Sequence, residues 1–501
     1  MELVFQEQKL EILSRILCDT VSQEQTADVI IPDSMSDAER VAEAFGTLLV
    51  RAEECGEDSA AVSGTVQAGA LLVCEDGSVQ RVDAEIPFSV RRDYPKQTDE
   101  CIMQSRCILR SVDARLLNSR KVLLRVCVSC TISVYAPKTF TSYDISEPAP
   151  NLQLKRTVLP LRTPALLGEK SFAVNEVLEL PNGRPEIRRL LKCLYRTQIE
   201  EERMVGNKAV FKGNLTVHAL YEGDDEELHT YEWSVPFSQY AELERELDEG
   251  DLRTELSLTS AEAEPDSQFG SRRLLVGANL LAQCTAFCVQ NVSVIEDAFC
   301  TDADLTPTWE TWSVTGILDQ QELRETATAE CDQQAQRIVD CWFAPDEAVM
   351  QRAEGSMQIE LPITCSVLFY DADGKLQGKT LRPAIRTETL LSENAQCCVT
   401  QVSGGETFCS AGSGGISLRV PVKVCVDSFA EHEIRAVSGG EITRTEETAP
   451  RRPAVLLRLT DQEESVWEIA KSCRANLQLI TAANDLSGAS VPAGTLLLIP
   501  M

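Results

Sequence analysis

Aromatic and histidine side chains are scarce in this chain of 501 residues. Aromatics make up 5% of the sequence, which argues against the extended stacking platforms that bind sugars or bases. The histidines are His218, His229 and His432, too few and too scattered to suggest a zinc site or a catalytic triad. GxSxG, Walker A and strand-linked GxGxxG motifs are missing as well. The sequence therefore predicts a protein that is not an enzyme and needs no metal or cofactor.

Positive charge is in deficit, since 78 acidic residues stand against 47 basic ones and the net charge is −31. Such a chain would repel nucleic acid and anionic lipid. The densest basic segments, residues 188–192 and 451–453, are too short to form a binding patch for either. A strongly acidic surface suits a neutral or basic protein partner.

Long apolar runs are also lacking. No stretch of 18 apolar residues occurs, so we expect no membrane span, and charges interrupt the first 20 residues where a signal peptide would be apolar. The odd number of cysteines, 19, favours reduced thiols. The one CxxC, Cys127 to Cys130, lies in a strand-like run, where its two thiols would point to opposite faces. The predicted location is the cytoplasm.

Two near-copies point to a duplication. "EIPFSV" at residues 85–90 and "SVPFSQ" at 234–239 lie 149 residues apart. Two further pairs keep this offset: Pro32 with Pro181 and Gly64 with Gly213. A third copy is more degenerate, with "SVLFYDADGKL" at 366–376 matching "HALYEGDDEEL" and "LRPAIRTE" in place of the PFS element. Because the period is about 150 residues, each copy is a whole domain and not a solenoid turn.

The residue pattern within each copy predicts a mainly β fold. Segments such as "KVLLRVCVSCTISV" alternate with period two and are rich in Val, Leu and Thr, and Asp-Gly pairs suit hairpin turns. Short helices are predicted at residues 36–49, 184–195 and 332–343, the first of them opening with a capping box, Ser36 to Glu39. We expect tandem two-layer β-rich domains with a minor helical content, the first domain carrying a helix near its N-terminus.

The C-terminal segment is a different unit. Residues 445–453 are polar and proline-bearing, as in a linker. Beyond them the pattern predicts a strand at 455–459, a helix that opens with a capping box at Ser465 and Glu468, a second helix capped by Asn476, and a closing strand, "TLLLIP".

This strand–helix–helix–strand order resembles a LysM domain. "SVWEIA" at 465–470 lies where that family has T-L-W-x-I-A, and Asn484, "VPAG" at 491–494 and "LIP" at 498–500 lie at its other motif positions. The resemblance implies a groove that binds N-acetylglucosamine-containing glycans, between the loop after the first strand and the loop after the second helix. In this chain the family's Gly-Asp before the first helix is replaced by Glu463-Glu464, which adds bulk and charge where glycine lets a sugar approach closely.

We therefore favour protein binding over sugar binding at this groove. Its predicted residues are Glu463, Glu464, Ser465, Trp467, Asn484 and Leu486. The alternative for Trp467 is a packed core residue.

The whole chain resembles the SipL-type spore-coat morphogenetic proteins, whose repeated module is called the SPOCS domain. The landmarks are the proline and glycine pairs at offset 149, the two PFS elements, "NSRK" at 118–121, "TVSQEQTADVIIPD" at 20–33 and the terminal LysM-like segment. The implied domains are repeats at 1–150, 151–300 and 301–444 (the third degenerate), a linker at 445–453 and a LysM domain at 454–501.

The resemblance implies a non-enzymatic scaffold. Such proteins are made in the mother cell, lie at the forespore surface and dock through LysM onto the ATPase of the coat basement layer. Two alternatives remain: a LysM protein that binds peptidoglycan and uses the β domains as spacers, and a member of the same repeat family with no role in sporulation.

Overall fold

Long antiparallel strands make up most of the chain, because alternating apolar and polar residues give each strand one face for a core. The computed structural model describes residues 6–145, 151–244, 246–247, 250–266, 271–391, 394–405, 407–412, 414–443 and 454–501. The prediction of a mainly β protein is confirmed. The predicted linker at 445–453 lies outside the described residues.

The first unit has six strands in two three-stranded layers. The strands are β1 (Gln6–Ile30), β2 (Ala38–Cys55), β3 (Ser59–Cys74), β4 (Val79–Asp93), β5 (Ile102–Asn118) and β6 (Lys121–Asp144). One sheet has the order β1-β6-β5 and the other β2-β3-β4. Their facing sides form one buried cluster, to which Val62, Phe88 and Val126 belong.

The second and third units have the same strand order. The second comprises β7 (Leu152–Glu179), β8 (Ile187–Val205), β9 (Lys208–Gly223), β10 (Leu228–Glu242), β11 (Asp251–Pro265) and β12 (Arg273–Cys300). The third comprises β13 (Asp304–Cys331), β14 (Arg337–Pro345), β15 (Val349–Ala353), β16 (Ser356–Tyr370), β17 (Leu376–Leu381), β18 (Ala384–Leu390), β19 (Ala395–Gly404), β20 (Phe408–Gly412) and β21 (Gly415–Thr443). Each unit also has its own buried core. That the three units are repeats of one family module remains a prediction.

Prolines account for the split strands of the third unit. Pro362 lies mid-strand in β16, 149 residues after Gly213, and Pro345 and Pro383 stand at the breaks in the neighbouring strands. Proline has no N–H to donate to a sheet ladder, so the strands on either side of β16 are interrupted there.

The glycine and PFS landmarks have a common physical cause. Gly64 lies opposite Phe88 in the β3–β4 ladder, and Gly213 lies opposite Phe237 in β9–β10. A Cβ at Gly64 would come within 2.1 Å of the Leu49 carbonyl oxygen and 2.7 Å of the Phe88 ring. At Gly213 the corresponding distances are 2.1 Å, to the Gln198 oxygen, and 2.8 Å, to the Phe237 ring. The phenylalanine covers the space that the missing side chain leaves in the sheet.

The three helices predicted in these units are wrong, because residues 38–55, 187–205 and 337–345 are strands. Each of these strands contains a β-bulge, for example between Val41 and Glu43 and between Leu190 and Lys192. An extra residue shifts the phase of a period-two pattern, so the apolar spacing imitates the three-residue spacing of a helix. The Ser36 hydroxyl caps no helix and donates to the Asp76 carboxylate at 2.6 Å.

The longest strands extend beyond the core of their own unit. Strand β5 ends its pairing with β6 at Tyr135, β11 ends with β12 at Phe287, and β19 ends with β21 at Ala430. Beyond these points β1–β6, β7–β12 and β13–β21 continue as two-stranded ribbons. A lone two-stranded ribbon is only marginally stable. The three ribbons pack together around one shared buried cluster: Ile12, Phe140, Leu161, Val292, Val294, Val314, Ile434 and Ala436.

A buried ion cluster joins the three units where the sheets that contain β2, β8 and β14 meet. Glu43, Lys192 and Asp340 occupy the same place in β2, β8 and β14, each directly after a bulge. They are 6%, 0% and 4% exposed. The Lys192 ammonium lies 2.8 Å from a Glu43 carboxylate oxygen and also contacts the Asp340 carboxylate. Burial alone would lower the pKa of Lys192, but the charges of Asp340 and Glu43 outweigh it and raise that pKa.

Two neighbours complete this cluster. The Ser366 hydroxyl donates to Glu43 at 2.7 Å, and a ring nitrogen of His218 lies 2.6 Å from Asp340. Burial opposes protonation of the imidazole, but the carboxylates of Asp340 and Glu232 outweigh burial and raise the pKa of His218 to about 9.

Replacing Lys192 with methionine should destabilise the protein strongly. It removes the ammonium that faces both buried carboxylates, so Glu43 loses its counter-charge and Asp340 keeps only the His218 imidazole. We expect a loss of about 3–5 kcal/mol in the free energy of unfolding, measured by urea denaturation. Lys121→Met is the matched control, since Lys121 pairs with Asp28 at the surface and should cost less than about 1 kcal/mol. Equal losses in the two variants would contradict the role given to the cluster.

The stability contribution of His218 should depend on pH. Because its folded-state pKa is raised from 6.5 to about 9, the protonated imidazole stabilises the fold fully below pH 6.5. That contribution is lost as the pH rises through about 9. The unfolding free energy of the wild type should therefore exceed that of His218→Gln at pH 6, and the difference should shrink toward pH 10. A difference that stays constant over this range would refute a charged, stabilising His218.

The C-terminal module as candidate functional site

The C-terminal module is built from short elements around its own core. They are β22 (Val455–Leu459), β23 (Glu464–Ser465), α1 (Val466–Cys473), α2 (Leu477–Ala483), β24 (Ser490–Val491) and β25 (Leu496–Pro500). Strand β22 pairs antiparallel with β25, and β23 pairs with β24. The strand–helix–helix–strand order is the one that the sequence pattern predicts. Membership of the LysM family remains a prediction.

Polar side chains fix the ends of these elements. The Asn476 side chain caps α2 by accepting from the backbone N–H groups of Gln478 and Leu479, at 2.9 and 3.3 Å. Ser465 stands at the N-cap of α1, but its hydroxyl makes no capping bond, so the side-chain part of the predicted capping box is wrong. Asn484 acts as an extra rung of the sheet, since its amide accepts from the Leu498 N–H at 2.8 Å and donates to the Leu498 carbonyl at 2.6 Å. Asn484 thus holds the loop after α2 against β25.

The two loops of the predicted groove are joined by polar contacts. The Ser490 hydroxyl donates to the exposed carboxylate of Glu463 at 2.8 Å, which links the residue before β23 to the first residue of β24, at the end of the loop after α2. Glu464 is half-buried and forms an ion pair with Arg458 at 2.7 Å. Leu486 packs against the module core from the second loop. At the place of the predicted groove, the structure thus has an exposed carboxylate bonded across to Ser490.

Trp467 lies in a different environment from these loop residues. Its side chain is 5% exposed and is covered by the second unit. The indole N–H donates to the Asp297 carboxylate at 2.8 Å, and the Trp467 ring meets the Phe299 ring edge-on with 5.0 Å between centroids. The Lys471 ammonium lies 2.6 Å from the same Asp297 oxygen. The structure thus places Trp467 in an interface within the chain, whereas the Glu463 carboxylate is exposed.

Further contacts attach the module where the ribbons of the second and third units end. Arg474 forms an ion pair with Asp304, next to the start of β13. The backbone N–H of Leu477 donates to the Gln153 side chain at the start of β7, at 3.2 Å. A bulge at Glu296 in β12 shifts the register just before Asp297, and bulges of this kind re-aim side chains. The docking contacts therefore come from the terminal residues of β7, β12 and β13.

The sequence pattern does not predict this attachment of the module to β7, β12 and β13. Asp297, Phe299 and Gln153 lie more than 160 residues before Trp467, so no local pattern relates them to it. The one signal is the pair Glu296-Asp297, which interrupts the otherwise apolar end of "VSVIEDAFC".

His218, whose pKa is raised, is not arranged for catalysis. Both ring nitrogens of His218 face carboxylates, Asp340 at 2.6 Å and Glu232 at 3.4 Å. Neither nitrogen is left to take a proton from a substrate or a nucleophile. Of the two CxxC cysteines, Cys130 belongs to the buried core of the first unit and Cys127 is half-buried.

Neither helix in the part of the chain that the structure describes has the length and apolar character to cross a membrane.

A family model described as "SipL, SPOCS domain" matches residues 186–264, which cover β8 to β11 of the second unit. No curated protein and no solved structure matches the chain. The matched segment is thus similar to a module that points to sporulation and the spore coat.

Removing the Asp297 carboxylate should release the module from the ribbons. Asp297→Ala deprives the Trp467 indole and the Lys471 ammonium of their shared acceptor, at a cost of about 2–3 kcal/mol of docking free energy. We expect a larger radius of gyration in small-angle X-ray scattering and faster hydrogen exchange at the Trp467 indole. Glu296→Ala is the control, because Glu296 pairs with Lys155 at 2.8 Å and touches neither group. Equal scattering profiles for the wild type and Asp297→Ala would show that this carboxylate does not hold the module.

Proposed function

We propose that this protein is a non-enzymatic scaffold of spore-coat assembly, with three SPOCS repeats and a C-terminal LysM domain. In this proposal it works in the mother-cell cytoplasm at the forespore surface and docks through its C-terminal module onto the ATPase of the coat basement layer. The observation that carries the proposal is the SPOCS-model match at 186–264, which falls in one of three units with the same strand order.

The ion cluster and the ribbons support a scaffold role. Titratable groups such as Lys192 and His218 are committed to contacts between units, where they hold the architecture together. The module is itself anchored to the ribbon ends through Asp297. Such an arrangement presents the free face of the module in a fixed orientation relative to the rest of the chain.

The groove residues favour a protein ligand over a sugar. Glu463 holds its carboxylate at the mouth of the groove, and its bond to Ser490 spans the two loops between which a glycan would have to enter. A sugar hydroxyl would have to displace that bond, whereas a lysine or arginine of a partner could approach the same carboxylate from outside. The net charge of −31 would also attract a basic partner surface.

The second candidate is a peptidoglycan-binding LysM protein with β-domain spacers. It rests on the Asn484 and Trp467 positions, which match the LysM pattern. In the structure the Trp467 indole is bonded to Asp297 in an interface within the chain. Trp467 therefore does not face a glycan, and this candidate has less support. Expression outside sporulation would favour the third possibility, a family member with another role.

Reversing the charge at the groove mouth should weaken partner capture. With the full-length protein and the purified coat ATPase, Glu463→Lys should reduce affinity by about tenfold, measured by biolayer interferometry, because a rim charge would become repulsive. Glu468→Lys is the matched control: this glutamate is exposed on α1 and should leave the affinity within about twofold of the wild type.

A parallel titration with chitin oligosaccharides separates the two candidates. We expect no saturable heat of binding for the wild type in calorimetry. Saturable glycan binding without capture of the ATPase would overturn the proposed docking function in favour of the peptidoglycan candidate.

A further inference from the structure

A cavity of about 140 Å³ lies where the three units meet. Its wall contains one cross-strand pair from each unit, at the point where the two-stranded ribbon begins. The pairs are Arg15 with Tyr135, Pro164 with Phe287, and Ile317 with Phe429. These pairs occupy matching places in the three units, close to where β5, β11 and β19 stop pairing with β6, β12 and β21. No single unit forms the cavity, so it exists only when all three are assembled.

Two polar groups in the cavity wall have unused bonding capacity. The Arg15 guanidinium stacks on the Phe429 ring at 4.0 Å, and no ion pair or hydrogen bond reaches it from the described residues. Asp427 is 6% exposed and pairs through one carboxylate oxygen with Arg253. Its other oxygen, Oδ1, is buried and accepts no hydrogen bond from the described residues. The cavity therefore offers a guanidinium to an acceptor and a carboxylate oxygen to a donor.

The charges of the wall favour an anion. Arg15, Arg106 and Arg253 stand against Asp427 and Glu255. Burial raises the pKa of Glu255 to about 7 against the opposing effect of Arg106 and Arg253, so this carboxyl is partly protonated near neutral pH. The wall then carries a net positive charge. Its uncharged part combines hydroxyl and amide side chains, such as Thr131, Ser133 and Gln104, with an apolar side formed by Tyr135, Phe287, Phe429 and Ile317.

We propose that this cavity is a binding site for a small ring-shaped carboxylate that carries a hydrogen-bond donor. A cavity of about 150 Å³ is known to hold benzene, so this one has room for a single ring. The carboxylate pairs with Arg15, the ring lies among the aromatic side chains, and the donor binds Asp427 Oδ1. Because such a ligand touches all three units, its binding stabilises their assembly by mass action. This site is independent of the proposed docking function.

The probe is 4-hydroxybenzoate, titrated into the full-length protein by calorimetry and followed by thermal unfolding. We expect one saturable site and a midpoint that rises with ligand concentration. Benzoate lacks the donor and phenol lacks the carboxylate, so each should bind at least about tenfold more weakly.

Two variants test the location of the site. Arg15→Gln should abolish the effect of the probe, whereas Arg435→Gln should retain it, because Arg435 stacks on Trp309 at 4.1 Å outside the cavity. Ile317→Phe fills the cavity from another unit and should also block binding, so the test stands even if Arg15→Gln fails to fold. No saturable binding by the wild type, or equal binding by wild type and Ile317→Phe, would overturn the proposal.

Discussion

The ammonium of Lys192 between the carboxylates of Glu43 and Asp340 is the constraint on which the rest of the structure depends. The three positions are matched, yet the residues differ, so these positions carry one positive and two negative charges, one from each unit. Three identical residues there would place like charges together out of water, which proteins avoid at high cost. The ion cluster therefore requires that the three units carry different residues at this buried place. Once the sheets that contain β2, β8 and β14 meet in this way, the three ribbons of the other sheets can share a core.

Much of the fold within a unit could be predicted from the sequence, and its assembly could not. The alternating runs around Val62 and Val126 predict strands, and the Gly64 and Phe88 landmarks reflect a backbone approach that a side chain would block. The three wrong helices come from bulges, which add a residue and imitate helical spacing at Glu43, Lys192 and Asp340. Contacts between units depend on residues about 150 positions apart, which local periodicity does not relate to one another. The same bulges that misled the pattern aim the charged side chains at the junction.

The candidate site shows a similar division between local and distant information. The order of its elements and the capping by Asn476 follow from neighbouring residues, whereas the environment of Trp467 is set by Asp297, 170 positions earlier. From the sequence alone, a tryptophan at a LysM-like motif position suggests a ligand contact. In the structure, Trp467 instead contacts Asp297 within the chain. Of the predicted groove residues, Trp467 thus lies inside the chain, whereas Glu463 stays exposed and bonded to Ser490.

The ribbons have a mechanical consequence for any tension that acts on the C-terminal module. The module continues from β21, which pairs with β13 along almost its whole length, and it rests on β12, which pairs in the same way with β7. The hydrogen bonds of an antiparallel ladder lie perpendicular to the strands, so tension along the ribbon loads many of them in shear at once. Shear requires these bonds to yield together, whereas a pull across a hairpin opens them one after another. An attachment point at the ribbon ends can thus resist traction without any covalent cross-link.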